Sequence, residues 1–246
     1  MYDQQTKREM ETWQQKMRKD PNWVDRTAKS VQDRINRVIP EKVHHAITAT
    51  IKQMVRGVLF GAKYTVPALP RHVSLMQTET AVRRQIDIYR KTAAAEGGIT
   101  GAGGILLGLA DFPILLGIKL KLLFDIATLY GYDVKDYKER VYMLHIFQLA
   151  FSSPQHRKMV FEQITDWNTK SKALPDDIHA FDWRRFQQEY RDHLDLAKMA
   201  QLIPVIGAVV GVVVNYRLIN RLGETAMNAY RMRYWADLAE ERSILP

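Results

Sequence analysis

The sequence predicts an all-α fold for this 246-residue chain, a single multi-helix bundle-like domain built around a central glycine-rich apolar helical hairpin. Three observations predict it. Apolar residues recur at spacings of three and four along most of the length, which is the period of a helix with one buried face. Proline and glycine gather at a few points that divide the chain into helix-length pieces. A composition of 46% hydrophobic and 26% charged residues is that of a globular protein with a sizeable core, over one domain spanning residues 1–246.

The elements follow in order. Residues 1–20 form an amphipathic N-terminal helix: between Asp3 and Lys19 no Gly or Pro intervenes, and Met10, Trp13 and Met17 make a thin apolar stripe that ends before Pro21. From about Asp25 a second pattern places Val31, Ile35, Val38 and Ile39 on one side. A third runs from Glu41 to Tyr64, with Val43, Ile47, Ile51, Met54, Val55 and Val58 in helical register. Pro67 to Pro70 reads as a turn and Ser74 to Glu96 as a helix.

The stretch Gly97 to Ile118 is different in kind, reading GGITGAGGILLGLADFPILLGI with Asp111 as its only charge. About twenty apolar residues could cross a bilayer, but Asp111 and Pro113 interrupt the run, and an aspartate in lipid costs about 2.5–3.5 kcal/mol. A buried or single-leaflet helical hairpin over 97–131 is therefore expected, with Asp111 capping a helix that restarts at Ile114, and Gly131 closing it. Further helices are expected over Asp136–Phe151, Pro154–Thr169 and Asp182–Gln201. A 13-residue apolar run, Leu202–Val214, precedes a last helix over Glu224–Arg242. The β-branched run Val209–Val214 reads as helix because Gly207, Gly211 and helical flanks surround it.

Charge and chemistry narrow the function. There are 36 Lys and Arg against 27 Asp and Glu, for a net charge of +9, and the excess lies in residues 1–100, with 18 basic against 10 acidic residues. A basic half attracts anionic partners. Lys16, Arg18, Lys19, Arg34 and Arg37 are the candidate membrane-surface cations. With no cysteine, no disulfide, thiolate nucleophile or cysteine-ligated metal can form. Glu41, His44 and His45 come nearest to a metal pattern, since a carboxylate and a histidine three apart share a helical face. Two-metal bundles need a second copy of such a motif, and there is none, so no metal is expected. No serine sits in a nucleophile elbow, and Gly101, Gly103 and Gly104 match neither a phosphate loop nor a dinucleotide fingerprint. No catalytic residue and no cofactor is therefore assigned. Glycines spaced by four, Gly57 with Gly61, Gly97 with Gly101, Gly104 with Gly108 and Gly207 with Gly211, suggest close helix packing. Tyr89, Tyr130, Tyr132, Tyr216, Tyr230, Tyr234 and Trp235 could form an interfacial belt, or pack in the core with bonded hydroxyls. Lys119 and Lys121 could snorkel to a charged surface.

Several segments, in order, carry a resemblance: Val31-Gln32, Ile39-Pro40-Glu41-Lys42-Val43-His44, Gly97-Gly98 through Gly104 to Ala110-Asp111-Phe112-Pro113, Tyr130-Gly131-Tyr132-Asp133, Ile203-Pro204-Val205-Ile206-Gly207-Ala208, and the Tyr230-Arg231 region. With these the chain resembles the EcsC family of bacterial proteins. The resemblance implies a single all-helical domain and a membrane connection, through the family's association with transport and secretion. It supplies no catalytic residues, and the positions it carries over as typical are Asp111, the glycines from Gly97 to Gly108, and Tyr130-Gly131.

The expected function is that of a non-enzymatic, peripherally membrane-associated protein at the inner, cytoplasmic face of the cell membrane. It would bind lipid or another amphiphile and assist or regulate a membrane transport or secretion system. Its partners would be an anionic membrane surface or lipid and a membrane protein, with no nucleic acid, because no reading motif accompanies the charge. The candidate ligand residues are Asp111, Gly97, Gly101, Gly104, Gly108, Tyr130 and Lys119. The alternative is a hydrolase-like enzyme on a lipid or amphiphile, using Asp111 or the Glu41, His44 and His45 cluster as general acid and base.

Overall fold

The computed structural model describes residues 1–20, 41–60, 73–101, 104–193 and 208–244, and these are helical throughout, with no strand among them. In chain order the helices are α1 (Tyr2–Arg18), α2 (Glu41–Phe60), α3 (Leu75–Gly101), α4 (Gly104–Leu129), α5 (Tyr137–Phe151), α6 (Pro154–Ile164), α7 (Trp167–Lys172), α8 (Trp183–His193) and α9 (Ala208–Ile244), with a short 3-10 turn at Ile178–Ala180. The expected helix from Asp25, the turn at Pro67–Pro70 and most of the run Leu202–Val214 lie outside the described residues.

Local signals explain most ends. Ser74 opens α3 with a capping box: its hydroxyl accepts the Gln77 N–H at 3.3 Å while the Gln77 side chain accepts the Ser74 N–H at 3.1 Å. Asp136 caps α5 through the Lys138 N–H, and Ser153 with Pro154 opens α6. Gly131, at φ +87°, closes α4: its N–H bonds the Thr128 carbonyl and the Tyr132 N–H bonds that of Ala127, both at 3.0 Å, the paired arrangement that needs a left-handed residue.

In three places the structure departs from the sequence expectation. The helix expected to break at Asp111–Pro113 runs straight through, with Pro113 inside α4. An interior proline costs about 3 kcal/mol. Phe112, Leu115 and Leu116 are buried around it, each stabilising by about 1.5–3 kcal/mol, and Pro113 itself faces outward, so burial wins. Asp111 thus lies within a helix and is no N-cap. The expected Pro154–Thr169 helix is divided at Asp166, which adopts φ 50°, so that Ile164 and Trp167 on either side are both buried. The two expected C-terminal segments are a single helix, α9, about 55 Å long at 1.5 Å per residue.

α5 lies at the centre, with twelve of its side chains buried, and α4, α2, α6 and α9 pack around it. The most extensive packing joins α3 to α9. Arg90 bonds Asn220, Ile86 meets Gly223 and Glu79 bonds Arg231, so rising numbers on one helix meet falling numbers on the other and the pair is antiparallel. A Cβ on Gly223 would sit 2.7 Å from Ile86 side-chain atoms, so this glycine is where the helices approach closely. Around Gly57 and Gly117 the space is open. α1 crosses the other end of this pair, with Met10 and Met17 buried and Trp13 edge-on to Phe161 of α6 at 5.5 Å.

Gly223→Val should therefore lower stability by about 1–3 kcal/mol through overpacking against Ile86. Gly57→Ala, on an exposed helix interior, should raise it by about 0.5–1 kcal/mol. Urea unfolding of the two variants measures both, and equal effects would mean that the close approach at Gly223 is not what its neighbours require.

Candidate functional site

Two features stand out at opposite ends of the α3–α9 pair. The first is a buried polar network. Leu75, Glu79, Val82 and Ile86 share one face of α3, so the helix that buries its leucine, valine and isoleucine also buries a carboxylate. Both Glu79 oxygens accept from Arg231 of α9, at 2.6 Å each, a bidentate pair with both side chains out of water. Tyr2 of α1 donates to Glu79 at 2.7 Å, Tyr130 at the end of α4 reaches it at 3.4 Å, and Glu9 of α1 pairs with Arg231 at 3.1 Å.

Beside it, Arg233 pairs with Glu139 of α5 and lies 3.8 Å over the Tyr132 ring, while Tyr230 donates to Glu139 at 2.6 Å. Tyr130 and Tyr132 stack on Tyr230 at 5.4 and 5.2 Å, and Tyr142 meets it edge-on at 5.6 Å. The segments Tyr130-Gly131-Tyr132 and Tyr230-Arg231, a hundred residues apart in the sequence, thus meet in space. Burial pushes the phenols of Tyr130, Tyr132, Tyr142 and Tyr230 well above their ordinary value, so they remain protonated donors. Hydroxyls bonded in this way are the core-packing alternative for these aromatics; Tyr89 likewise donates to Asp125 at 2.8 Å.

The second feature is an apolar end. Because α3 and α9 are antiparallel and α4 begins two residues after α3 stops, the C-terminal end of α3 and the N-terminal ends of α4 and α9 lie together. Gly97, Gly101, Gly104, Gly108 and Asp111 are all on these helix ends. Ile114, Val213 and Tyr216 are exposed there, at 56%, 42% and 41%. Beneath it Lys119 is fully buried, its Nζ donating to the Leu115 carbonyl at 3.2 Å and to Asn215 of α9 at 3.3 Å. It does not snorkel, because its side chain lies between α4 and α9. Lys121 is the partly exposed one of the two, and it pairs with Asp125.

The remaining expected residues are scattered. Lys16, Arg18 and Lys19 are exposed at the end of α1, with Arg18 5.4 Å over the Phe161 ring. Arg34 and Arg37 lie outside the described residues. His45 is exposed on α2, with Glu41 and His44 in the same first turn, and among the described residues no group of side chains is arranged to hold a metal. A shallow depression lined by Met1, Gln4, Gln5, Arg8, Glu9 and Thr12 runs along α1 and gathers no acid–base pair beside an apolar wall. The sequence reading missed Glu79, Arg231, Glu139 and Arg233. The signal for Glu79 was a charge in the apolar register of its helix.

An all-helical domain with this arrangement is defined by its family. The model of the EcsC protein family matches residues 4–235, and the chain belongs to that family. It is 44% identical over 226 residues to "Protein EcsC" of Bacillus subtilis (strain 168), covering 92% of each chain. It is also 35% identical over 143 residues to "Uncharacterized protein YdbA" of the same organism, covering 57% of this chain and 52% of that one. No solved structure matches it.

Removing one partner of a buried pair leaves the other charge unpaired, so Arg231→Met should lower stability by about 3–5 kcal/mol. Glu79→Leu combined with Arg231→Met should lose less than the two single losses added together. Additive losses in a double-mutant cycle of urea unfolding would dissolve the pair. Alkali supplies a second test. An unfolded phenol ionises near pH 10, below the folded phenols, so stability should be intact below about pH 10 and fall as the pH rises past it. Tyrosinate absorption should then appear together with loss of helical circular dichroism, and full ionisation in a still-folded protein would contradict this burial.

Proposed function

We propose that this protein is a non-enzymatic, peripherally membrane-associated helical protein at the cytoplasmic face of the cell membrane. It binds lipid or another amphiphile, and it assists or regulates a membrane transport or secretion system. The observation that carries the reading is the apolar end, where the described parts of two apolar runs far apart in the sequence lie on neighbouring helix ends. Single exposed apolar residues are ordinary on any surface. Here Ile114, Val213 and Tyr216 gather at one end, while their neighbours Phe112, Leu115 and Leu116 are buried as in any core. Among the described residues no helix is long and apolar enough to cross a membrane, so contact from one side is the geometry that fits. Asp111, Gly97, Gly101, Gly104 and Gly108 lie within this end and Lys119 beneath it. A polar anchor for an amphiphile would come from Asp111 or Lys119. The transport or secretion role rests on the family resemblance, and a membrane protein is its proposed partner.

Flotation of protein purified without detergent, mixed with vesicles of neutral or anionic phospholipid, tests the reading. The protein should float with anionic vesicles. Val213→Asp should weaken binding at least tenfold, since a charge in the hydrocarbon costs about 2.5–3.5 kcal/mol. A wild-type protein that stays with the soluble fraction at every lipid composition overturns it.

A further inference from the structure

The exposed side chains of α3 and α9 form one continuous face. On α3, Arg83, Arg84, Ile88 and Lys91 are exposed, and steps of one, four and three residues keep them on a single side of the helix. On α9, Val213, Tyr216, Arg217, Arg221 and Glu224 are exposed, again in steps that follow one side. A chain of contacts carries the first stripe into the second. Lys91 pairs with Asp87 at 2.7 Å, Asp87 pairs with Arg90 at 2.6 Å, Arg90 donates to Asn220 at 3.0 Å, and Asn220 donates to Glu224 at 2.7 Å. Arg90 also lies 4.7 Å over the Tyr216 ring. The chain begins at an exposed residue of α3 and ends at an exposed residue of α9, so the two stripes border each other on the same side of the pair. α1 bounds this face where Tyr2 bonds Glu79 and Glu9 pairs with Arg231.

Positive charge and apolar exposure coincide here. Arg83, Arg84, Arg90, Lys91, Arg217 and Arg221 stand with two carboxylates, Asp87 and Glu224, which leaves an excess of four positive charges. Glu79 beneath Arg83 is already balanced by Arg231. Of the seven large apolar side chains exposed among the described residues, four are on α3 and α9: Met76, Ile88, Val213 and Tyr216. Ile88 falls between Arg84 and Lys91, and Val213 and Tyr216 precede Arg217, so aliphatic and aromatic groups are interleaved with the cations. Arg84 to Lys91 covers about 10 Å of helix axis and Val213 to Glu224 about 16 Å. These spans are one to two screening lengths at physiological salt, so a flat anionic surface laid along the pair meets the cations as a group. The cations at the end of α1 belong elsewhere: Arg18 lies over Phe161 of α6, and the neighbouring Asp20 pairs with Lys158 of the same helix.

Resting on the membrane reading above, we propose that the α3–α9 pair lies flat against an anionic bilayer through this face. Its arginines and lysine meet the lipid phosphates, while Ile88, Val213 and Tyr216 reach between them toward the boundary of the acyl chains. Asp87 and Glu224 stay at the level of the headgroups, each already bonded by a side chain of the face. A nucleic acid would satisfy the arginines equally, but its phosphate backbone offers nothing to exposed aliphatic groups set among them, whereas a lipid surface offers both.

The test uses the full chain and vesicles of phosphatidylcholine mixed with phosphatidylglycerol. Arg84→Gln, Lys91→Gln and Arg217→Gln together should weaken binding about a hundredfold, at about fivefold for each cation removed at an anionic surface. Lys16→Gln, Arg18→Gln and Lys19→Gln together should change it less than twofold. All six side chains are exposed, so thermal unfolding of both variants should match the wild type. A second measurement does not depend on these variants. Because the chain has no cysteine, Ile88→Cys, Val213→Cys and Met159→Cys, the last on α6, each carry a single environment-sensitive dye at an exposed position. On the vesicles the dyes at 88 and 213 should both shift to the blue, and the dye at 159 should not. A shift at 213 without one at 88, or loss of binding in the α1 variant with full binding in the α3–α9 variant, overturns this face while leaving membrane binding in place. A wild-type protein that binds no vesicle overturns both readings, and retention of short duplex DNA by that protein would assign the face to nucleic acid instead.

Discussion

Glu79 and Arg231 are both removed from water, and two such charges are tolerable only when each is the other's partner. That requirement sets the register of α3 against α9. Sliding one helix by a turn would strand a carboxylate and a guanidinium in the core, a penalty of several kcal/mol against which small gains in apolar contact count for little. With the register set, Ile86 falls opposite Gly223, where a Cβ would crowd it, and Arg90 falls opposite Asn220. The same ion pair draws in Tyr2 from α1 and Tyr130 from the end of α4, so four helices are referenced to a single carboxylate.

The apolar end follows from that register. The apolar positions from Gly97 and those from Ala208 are separated by about a hundred residues and, among the described residues, by four helices, and nothing local brings them together. They meet because α9, paired with α3 at Glu79 and Arg231, is long enough to run antiparallel beside it as far as the end of α3. A polar network at one end therefore positions an apolar surface at the other, with roughly 30 Å of paired helix between them.

Periodicity made most of the helices legible: α1, α2, α3, α5 and the start of α8 lie within a few residues of where the apolar spacing puts them, and Gly131 closes α4 as a left-handed glycine should. The failures share a cause. Pro113, Gly223 and Asp166 are each a place where local propensity competes with burial of the flanking residues. At Pro113 and Gly223 packing keeps the helix whole, while at Asp166 a left-handed turn lets Ile164 and Trp167 both reach the core. Of the glycines spaced by four, Gly57 is the one whose surroundings are described, and they are open; among the described glycines the close approach is at Gly223, where the crowding comes from Ile86 on another helix. Lys119 was misread for a similar reason: an amine beside an apolar run can snorkel only when its helix face is open, and α9 closes that face.

Charge is where reading along the chain says least about position. The basic excess of residues 1–100 suggested that the N-terminal cations and the apolar hairpin act on the same surface. The fold keeps Lys16, Arg18 and Lys19 exposed at the end of α1, and it places Arg217, from the electrically balanced half of the chain, level with Lys91. A net charge totals side chains that need not face the same partner. Which cations come level is set by helix register: Arg90 and Lys91 on α3 stand beside Arg217 on α9 because a pair of buried charges at the far end fixes the two helices against each other.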